Sequence, residues 1–108
     1  MTRYLLIASR DPFEGGDVGE DCGLARDLAA HGDEVTVFLV QNGVLPARRG
    51  VRSSELEGLV ASGARVAADE LSLRERAIPS KSLRKGITAA PIDLALDALE
   101  RGDRVLWL

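Results

Sequence analysis

Short, nearly continuous apolar runs alternate with amphipathic segments along this chain. Four runs have the length and composition of strands that are buried in a sheet: Tyr4–Ala8, Glu34–Val40, Arg65–Ala68 and Arg104–Leu108. The first of them, YLLIA, is apolar throughout and too short for a helix. The pattern therefore predicts four strands.

Three segments between these strands have helical spacing and helix-ending residues. The first helix starts after Asp17, which forms a capping box with Glu20, and ends at Gly32. The second helix covers Ser54–Ala61, and the last starts at Pro91 and ends before Gly102. The expected inward face of the last helix consists of Ile92, Leu94, Ala95, Ala98 and Leu99.

The alternation of strands and helices determines the predicted fold class. After the third strand, a polar and basic region from Leu71 to Gly86 favours a short helix over Leu71–Arg76 and then a loop. Strands that alternate with helices form βαβ units with a mostly parallel sheet, and their crossovers cover both sheet faces. Residues 1–108 are therefore predicted to form a single α/β domain, a three-layer sandwich.

Composition narrows the classes of function. The net charge of −3 and the aromatic content of 4% argue against a nucleic-acid partner, because such surfaces are usually basic. One cysteine, Cys22, and one histidine, His31, are too few for a disulfide or a zinc finger, so no metal is predicted. The glycines at 15, 16 and 19 match neither a phosphate loop nor a dinucleotide motif, so no cofactor is predicted.

The chain shows no signal peptide and no membrane-spanning run, which favours a cytoplasmic location without membrane partners.

Polar residues follow three predicted strands directly, and they form the candidate site. Ligands of parallel α/β sheets bind outside the carboxyl ends of the strands. The candidate binding residues at that edge, with two arginines that follow the third strand, are Ser9, Arg10, Asp11, Gln41, Asn42, Asp69, Arg74 and Arg76. The alternative is structural: Asp11-Pro12 and Asn42-Gly43 are common turn sequences, and Asp69 suits a helix N-cap.

Several stretches resemble the DsrE/DsrF-like family, which includes the TusD-type sulfur-relay subunits. They are YLLIASRDPFE, DLAAHGDEVTVFLVQNGVLPARRG, GARVAADELSLRERAI and the terminal RVLWL, in this order over nearly the whole chain. The resemblance implies a flavodoxin-like fold, assembly into trimers or hexamers, and work with other sulfur-relay proteins that pass sulfur as a cysteine persulfide. The apolar pair Val44-Leu45 also favours an oligomer, because a monomer must either expose this pair or fold it back.

The sequence departs from the family at the residue that carries sulfur. The resemblance puts the family's cysteine after the third strand, where this chain has Asp69. An aspartate holds no persulfide, although it can accept hydrogen bonds or ionise against Arg74 or Arg76. The expected role is an accessory or binding subunit; the alternatives are a small sulfurtransferase that uses Cys22 as its catalytic residue and a small-ligand binder without sulfur chemistry.

Overall fold

The sheet of this computed structural model, which describes residues 2–10, 18–51 and 54–108, is parallel throughout. Its strands are β1 (Arg3–Ala8), β2 (Glu34–Leu39), β3 (Arg65–Asp69), β4 (Ile87–Ala90) and β5 (Arg104–Trp107). They lie in the order β4-β3-β2-β1-β5, and all four pairings are parallel. The predicted α/β class is confirmed, with an additional strand, β4, which was not predicted and follows the region that was expected to end in a loop.

Helices cover the two faces of the sheet unequally. The first face packs against α1 (Val18–Ala30), α2 (Ser54–Ala61) and a 3-10 helix over Gln41–Ala47. Small and branched apolar side chains of these elements fill that side of the core, among them Ala25, Val44, Leu56 and Leu59. The second face packs against α4 (Asp93–Arg101), through Ala95 and Ala98. The result is the predicted three-layer sandwich.

The predicted inward face of α4 is partly wrong. Ala95 and Ala98 are buried and Leu94 is partly buried, but Ile92 and Leu99 are 54% and 60% exposed. Leu96, which was not part of the predicted inward face, is 52% exposed. The helix meets the sheet through its two alanines, because their small side chains let it lie close to the strands. The larger side chains of its neighbouring flank, spaced i, i+4 and i+7, therefore remain outside the core.

The α3 helix (Glu70–Glu75) ends in a left-handed residue that is not glycine. The Ile78 N–H donates to the Leu73 carbonyl at 2.9 Å and the Ala77 N–H donates to the Arg74 carbonyl at 3.1 Å, which is the Schellman pattern. Ala77 takes a φ of 54°, where a side chain is unfavourable. This ending turns the buried Ile78 back towards Leu73.

We expect Ala77→Gly to stabilise the protein by about 1 kcal/mol, because glycine adopts this backbone conformation without the Cβ penalty. Urea unfolding measures the change in the free energy of unfolding. Ala30→Gly, at the exposed last residue of α1, is the matched control and should bring no gain in stability. A loss of stability in Ala77→Gly would contradict the assigned helix ending.

Candidate functional site

The carboxyl edge of β2 and β3 carries a connected set of polar groups. Gln41 and Asn42 open the 3-10 helix just after β2, and Asp69 is the last residue of β3. Adjacent parallel strands end at the same edge, so the structure brings these three residues together, as was expected from their positions in the sequence. Asp11 lies outside the described residues.

Asp69 caps α3 and is held by Ser72. One carboxylate oxygen, Oδ2, accepts hydrogen bonds from the Ser72 N–H at 3.0 Å and from the Ser72 hydroxyl at 2.7 Å. Asp69 is 8% exposed. Within the described part of the chain, its other oxygen, Oδ1, receives no hydrogen bond, so Asp69 keeps one acceptor that is not used by the cap.

Ser72 joins β3 to the segment after β2. Its hydroxyl donates to Asp69 and accepts a hydrogen bond from the Gln41 N–H at 2.8 Å. Gln41 itself has a φ of 51°, an unfavourable conformation for a residue with a side chain. Sequence reasoning missed Ser72; the signal was its position three residues after a possible N-cap, in the sequence Asp-Glu-Leu-Ser.

Arg76 binds the other side of the same edge. Its Nε and Nη2 both donate to Asn42 Oδ1, at 3.1 and 3.0 Å, and its Nη1 donates to the Ser72 carbonyl at 3.2 Å. The guanidinium therefore links the end of α3 to the 3-10 helix. Asp69 forms no ion pair with Arg74 or Arg76, both of which are described, and Arg74 is exposed on α3.

The start of the 3-10 helix after β2 packs closely against the end of β1. The Val40 N–H donates to the Ala8 carbonyl, and the Gly43 N–H donates to the Val40 carbonyl, both at 2.9 Å. A Cβ on Gly43 would lie 2.3 Å from the Ala8 oxygen, so only glycine fits there. Val44 is then fully buried, and the apolar pair Val44-Leu45 folds back within one chain.

The remaining candidates lie near this edge or outside the described side chains. Ser9 is half-buried and Arg10 is exposed, directly after β1. Cys22 lies in α1, and its side chain is outside the part of the structure that is described. The described residues include no group of three or more His, Cys, Asp or Glu side chains that could hold a metal ion. In residues 2–10, 18–51 and 54–108, no helix is long and apolar enough to cross a bilayer.

This edge can bind a partner or ligand through hydrogen bonds. It offers the Oδ1 acceptor of Asp69 and the exposed Gln41 side chain, and the backbone around them is fixed by Ser72 and Arg76. Among its described residues, no cysteine supplies a sulfur nucleophile. The arrangement is suited to recognition and lacks the thiol that persulfide transfer needs.

Comparisons with known proteins establish the fold class of this chain. No protein-family model and no curated protein matches it. Its structure is similar to that of YchN from E. coli, with a TM-score of 0.88, 20% identity and full coverage of both chains. It is also similar to MTH1491 from Methanobacterium thermoautotrophicum, a protein described as of unknown function, with a TM-score of 0.87, 18% identity and full coverage of both chains.

A third solved structure agrees with these two. BT1422 from Bacteroides thetaiotaomicron, also described as of unknown function, matches with a TM-score of 0.79 and 17% identity, over 98% of this chain and 94% of its own. At these identities the similarity shows a shared α/β fold over the whole chain and nothing further about activity.

Proposed function

We propose that this chain is a DsrE-like accessory or binding subunit of a sulfur-relay or related cytoplasmic system, and that it carries no persulfide after β3. The observation that carries the proposal is Asp69 at the end of β3, where the resemblance implies the family's cysteine. Its carboxylate is built into the fold by Ser72, so the position is occupied by a structural acceptor instead of a sulfur nucleophile.

The proposed role is recognition of a partner at the carboxyl edge. Asp69 Oδ1 and the Gln41 side chain are the groups offered to the partner, because the other polar atoms around them already hold the edge together. A persulfide-bearing segment of another relay protein would bring hydrogen-bond donors to this acceptor. The Asn42–Arg76 bonds keep the backbone of the edge in place for docking.

Sulfur transfer to the wild-type protein tests this proposal against a sulfurtransferase that uses Cys22. The protein is incubated with a persulfide-loaded cysteine desulfurase, and intact mass is measured before and after reduction. We expect wild type and Cys22→Ala to remain unmodified. A reducible gain of one sulfur atom in wild type and its absence in Cys22→Ala would show that Cys22 carries sulfur, and would overturn the accessory role.

We also propose that the chain assembles as a homo-oligomer, a trimer or hexamer, through the exposed flank of α4. The buried Val44 no longer argues for assembly, because it folds back within one chain. The support now comes from Ile92, Leu96 and Leu99, each more than half exposed, and from Trp107 at 66% exposed. Trp107 pairs in register with Ile7, whose side chain packs on the α4-covered face, so Trp107 belongs to the same side of the sheet.

We expect Leu96→Asp to dissociate this oligomer, because a carboxylate in an apolar contact between two copies must lose its hydration. Light scattering at micromolar concentration measures the mass. Leu24→Asp, at an exposed leucine of α1, is the control and should keep the wild-type mass. A monomeric wild-type protein, or an equal response of both variants, would contradict the α4 interface.

A further inference from the structure

We propose that a cleft beside α4 binds a small zwitterion, a free amino acid with an apolar side chain. This cleft, of about 220 Å³, lies between the sheet and the α4 flank that carries Asp93, Asp97 and Arg101. It is separate from the carboxyl-edge site of Asp69 and Asn42, neither of which lines it. Pockets for drug-sized ligands are larger, roughly 300–1,000 Å³, so a cleft of this volume suits a small ligand such as an amino acid.

The two walls of the cleft carry opposite charges that do not meet. Arg65 projects from the start of β3 on the α4 side, since it lies two residues before Ala67, which belongs to the core beneath α4, and residues i and i+2 of a strand share a face. Asp93 and Asp97 face it from α4, one helical turn apart. The side chains of all three residues are described and exposed, and none of these side chains forms a hydrogen bond or ion pair with another described residue.

One end of the cleft is already neutral. Arg101 Nη2 donates to Asp103 Oδ2 at 2.7 Å, and the Asp103 side chain is only 7% exposed. The hydrogen bond to Asp103, together with the nearby carboxylates of Asp97 and Glu34, raises the pKa of Arg101 above its usual value. Arg101 and Asp103 therefore form an ion pair at this end of the cleft. Arg65 remains to bind an anion, and Asp93 and Asp97 remain to bind a cation.

Apolar residues also line the cleft. Leu94 is partly buried and keeps some surface for a ligand, whereas Leu5 and Ala98 are almost fully buried. An apolar side chain can therefore contact Leu94 while a carboxylate meets Arg65 and an ammonium group meets Asp93 or Asp97. A simple anion would face the two carboxylates, and a simple cation would face Arg65. Only a ligand with both charges is complementary to both walls.

Ligand-observed NMR with L-leucine as the probe tests this site. Isovalerate keeps the carboxylate without the amine, and isoamylamine keeps the amine without the carboxylate. We expect L-leucine to bind at concentrations below about 10 mM and to bind at least ten times more tightly than either analogue. The absence of L-leucine binding in this range, or equal binding of one analogue, would overturn the proposal.

Variants of the two walls locate the binding. Arg65→Gln and Asp97→Asn should each weaken L-leucine binding at least tenfold, because each removes one of the two charges that the ligand meets. Arg104→Gln, at an exposed arginine that does not line the cleft, is the matched control and should bind like wild type. Undiminished binding in both wall variants would place the ligand elsewhere and overturn the assignment. This test is independent of the sulfur-transfer experiment on the carboxyl edge.

Discussion

Gly43→Ala is expected to destabilise the protein by about 2–3 kcal/mol, the cost of forcing an added methyl group into a closely packed region. The new Cβ would lie 2.3 Å from the Ala8 carbonyl oxygen and 3.1 Å from its carbon. Both contacts are with backbone, which cannot rotate away as a side chain would. Relief requires moving the 3-10 helix away from β1, and with it the buried Val44.

Urea unfolding with a two-state fit measures this effect. The matched control is Gly23→Ala in α1, where an added Cβ meets nothing within 4 Å. Alanine is the better helix former there, so the control should gain about 1 kcal/mol. Opposite signs for the two Gly→Ala changes would establish the close approach at Gly43. A Gly43→Ala protein as stable as wild type would contradict the position of the 3-10 helix.

Asp69→Ala is expected to cost about 2–4 kcal/mol. The change removes the N-cap of α3, typically worth about 0.5–2 kcal/mol. It also leaves the buried Ser72 hydroxyl without its acceptor, which adds about 1–3 kcal/mol. The Ser72 hydroxyl also accepts a hydrogen bond from the Gln41 N–H. The substitution is therefore expected to weaken the turn after β2 as well.

Asp69→Asn separates the hydrogen bonds from the charge. The amide keeps an oxygen acceptor for Ser72, so this variant should lose less than about 1 kcal/mol. Equal losses in Asp69→Asn and Asp69→Ala would show that the negative charge matters more than the acceptor geometry. No loss in either would contradict the role of Asp69 as the cap.

Local sequence patterns predicted most of the fold but missed the edge strand β4. The four predicted strands and four predicted helices, including the short one over Leu71–Arg76, are present where the sequence indicated, apart from one or two residues at their ends. Strand β4, Ile87-Thr-Ala-Ala90, has one large apolar residue in four, so nothing in its composition separates it from a loop. It forms because β3 offers it a parallel partner, and that information is not local.

The positions of the candidate site residues in the fold were predicted, but the hydrogen bonds that connect them were not. The strand-end rule placed Asn42 and Asp69 at one edge, because it depends only on where strands stop. The link through Ser72 joins residues 31 positions apart, and Arg76 reaches Asn42 across 34. Likewise, helical periodicity showed that α4 is amphipathic, but the choice of flank was decided by the fit of Ala95 and Ala98 on the sheet.

The most direct test of the accessory role is to supply the missing thiol. Asp69→Cys in a Cys22→Ala background is incubated with a persulfide-loaded cysteine desulfurase, and intact mass is measured before and after reduction. Ala30→Cys in the same background is the control, because Ala30 ends α1 just before β2, at the opposite edge of the sheet. Circular dichroism establishes that both variants are folded before the reaction.

The account predicts that the Asp69→Cys variant gains one reducible sulfur atom, while the Ala30→Cys variant and wild type do not. That outcome would mean that the edge after β3 meets sulfur donors and that Asp69 is the reason the natural chain does not carry sulfur. A folded Asp69→Cys variant that gains no sulfur, or a wild-type protein that gains sulfur on Cys22, would contradict it.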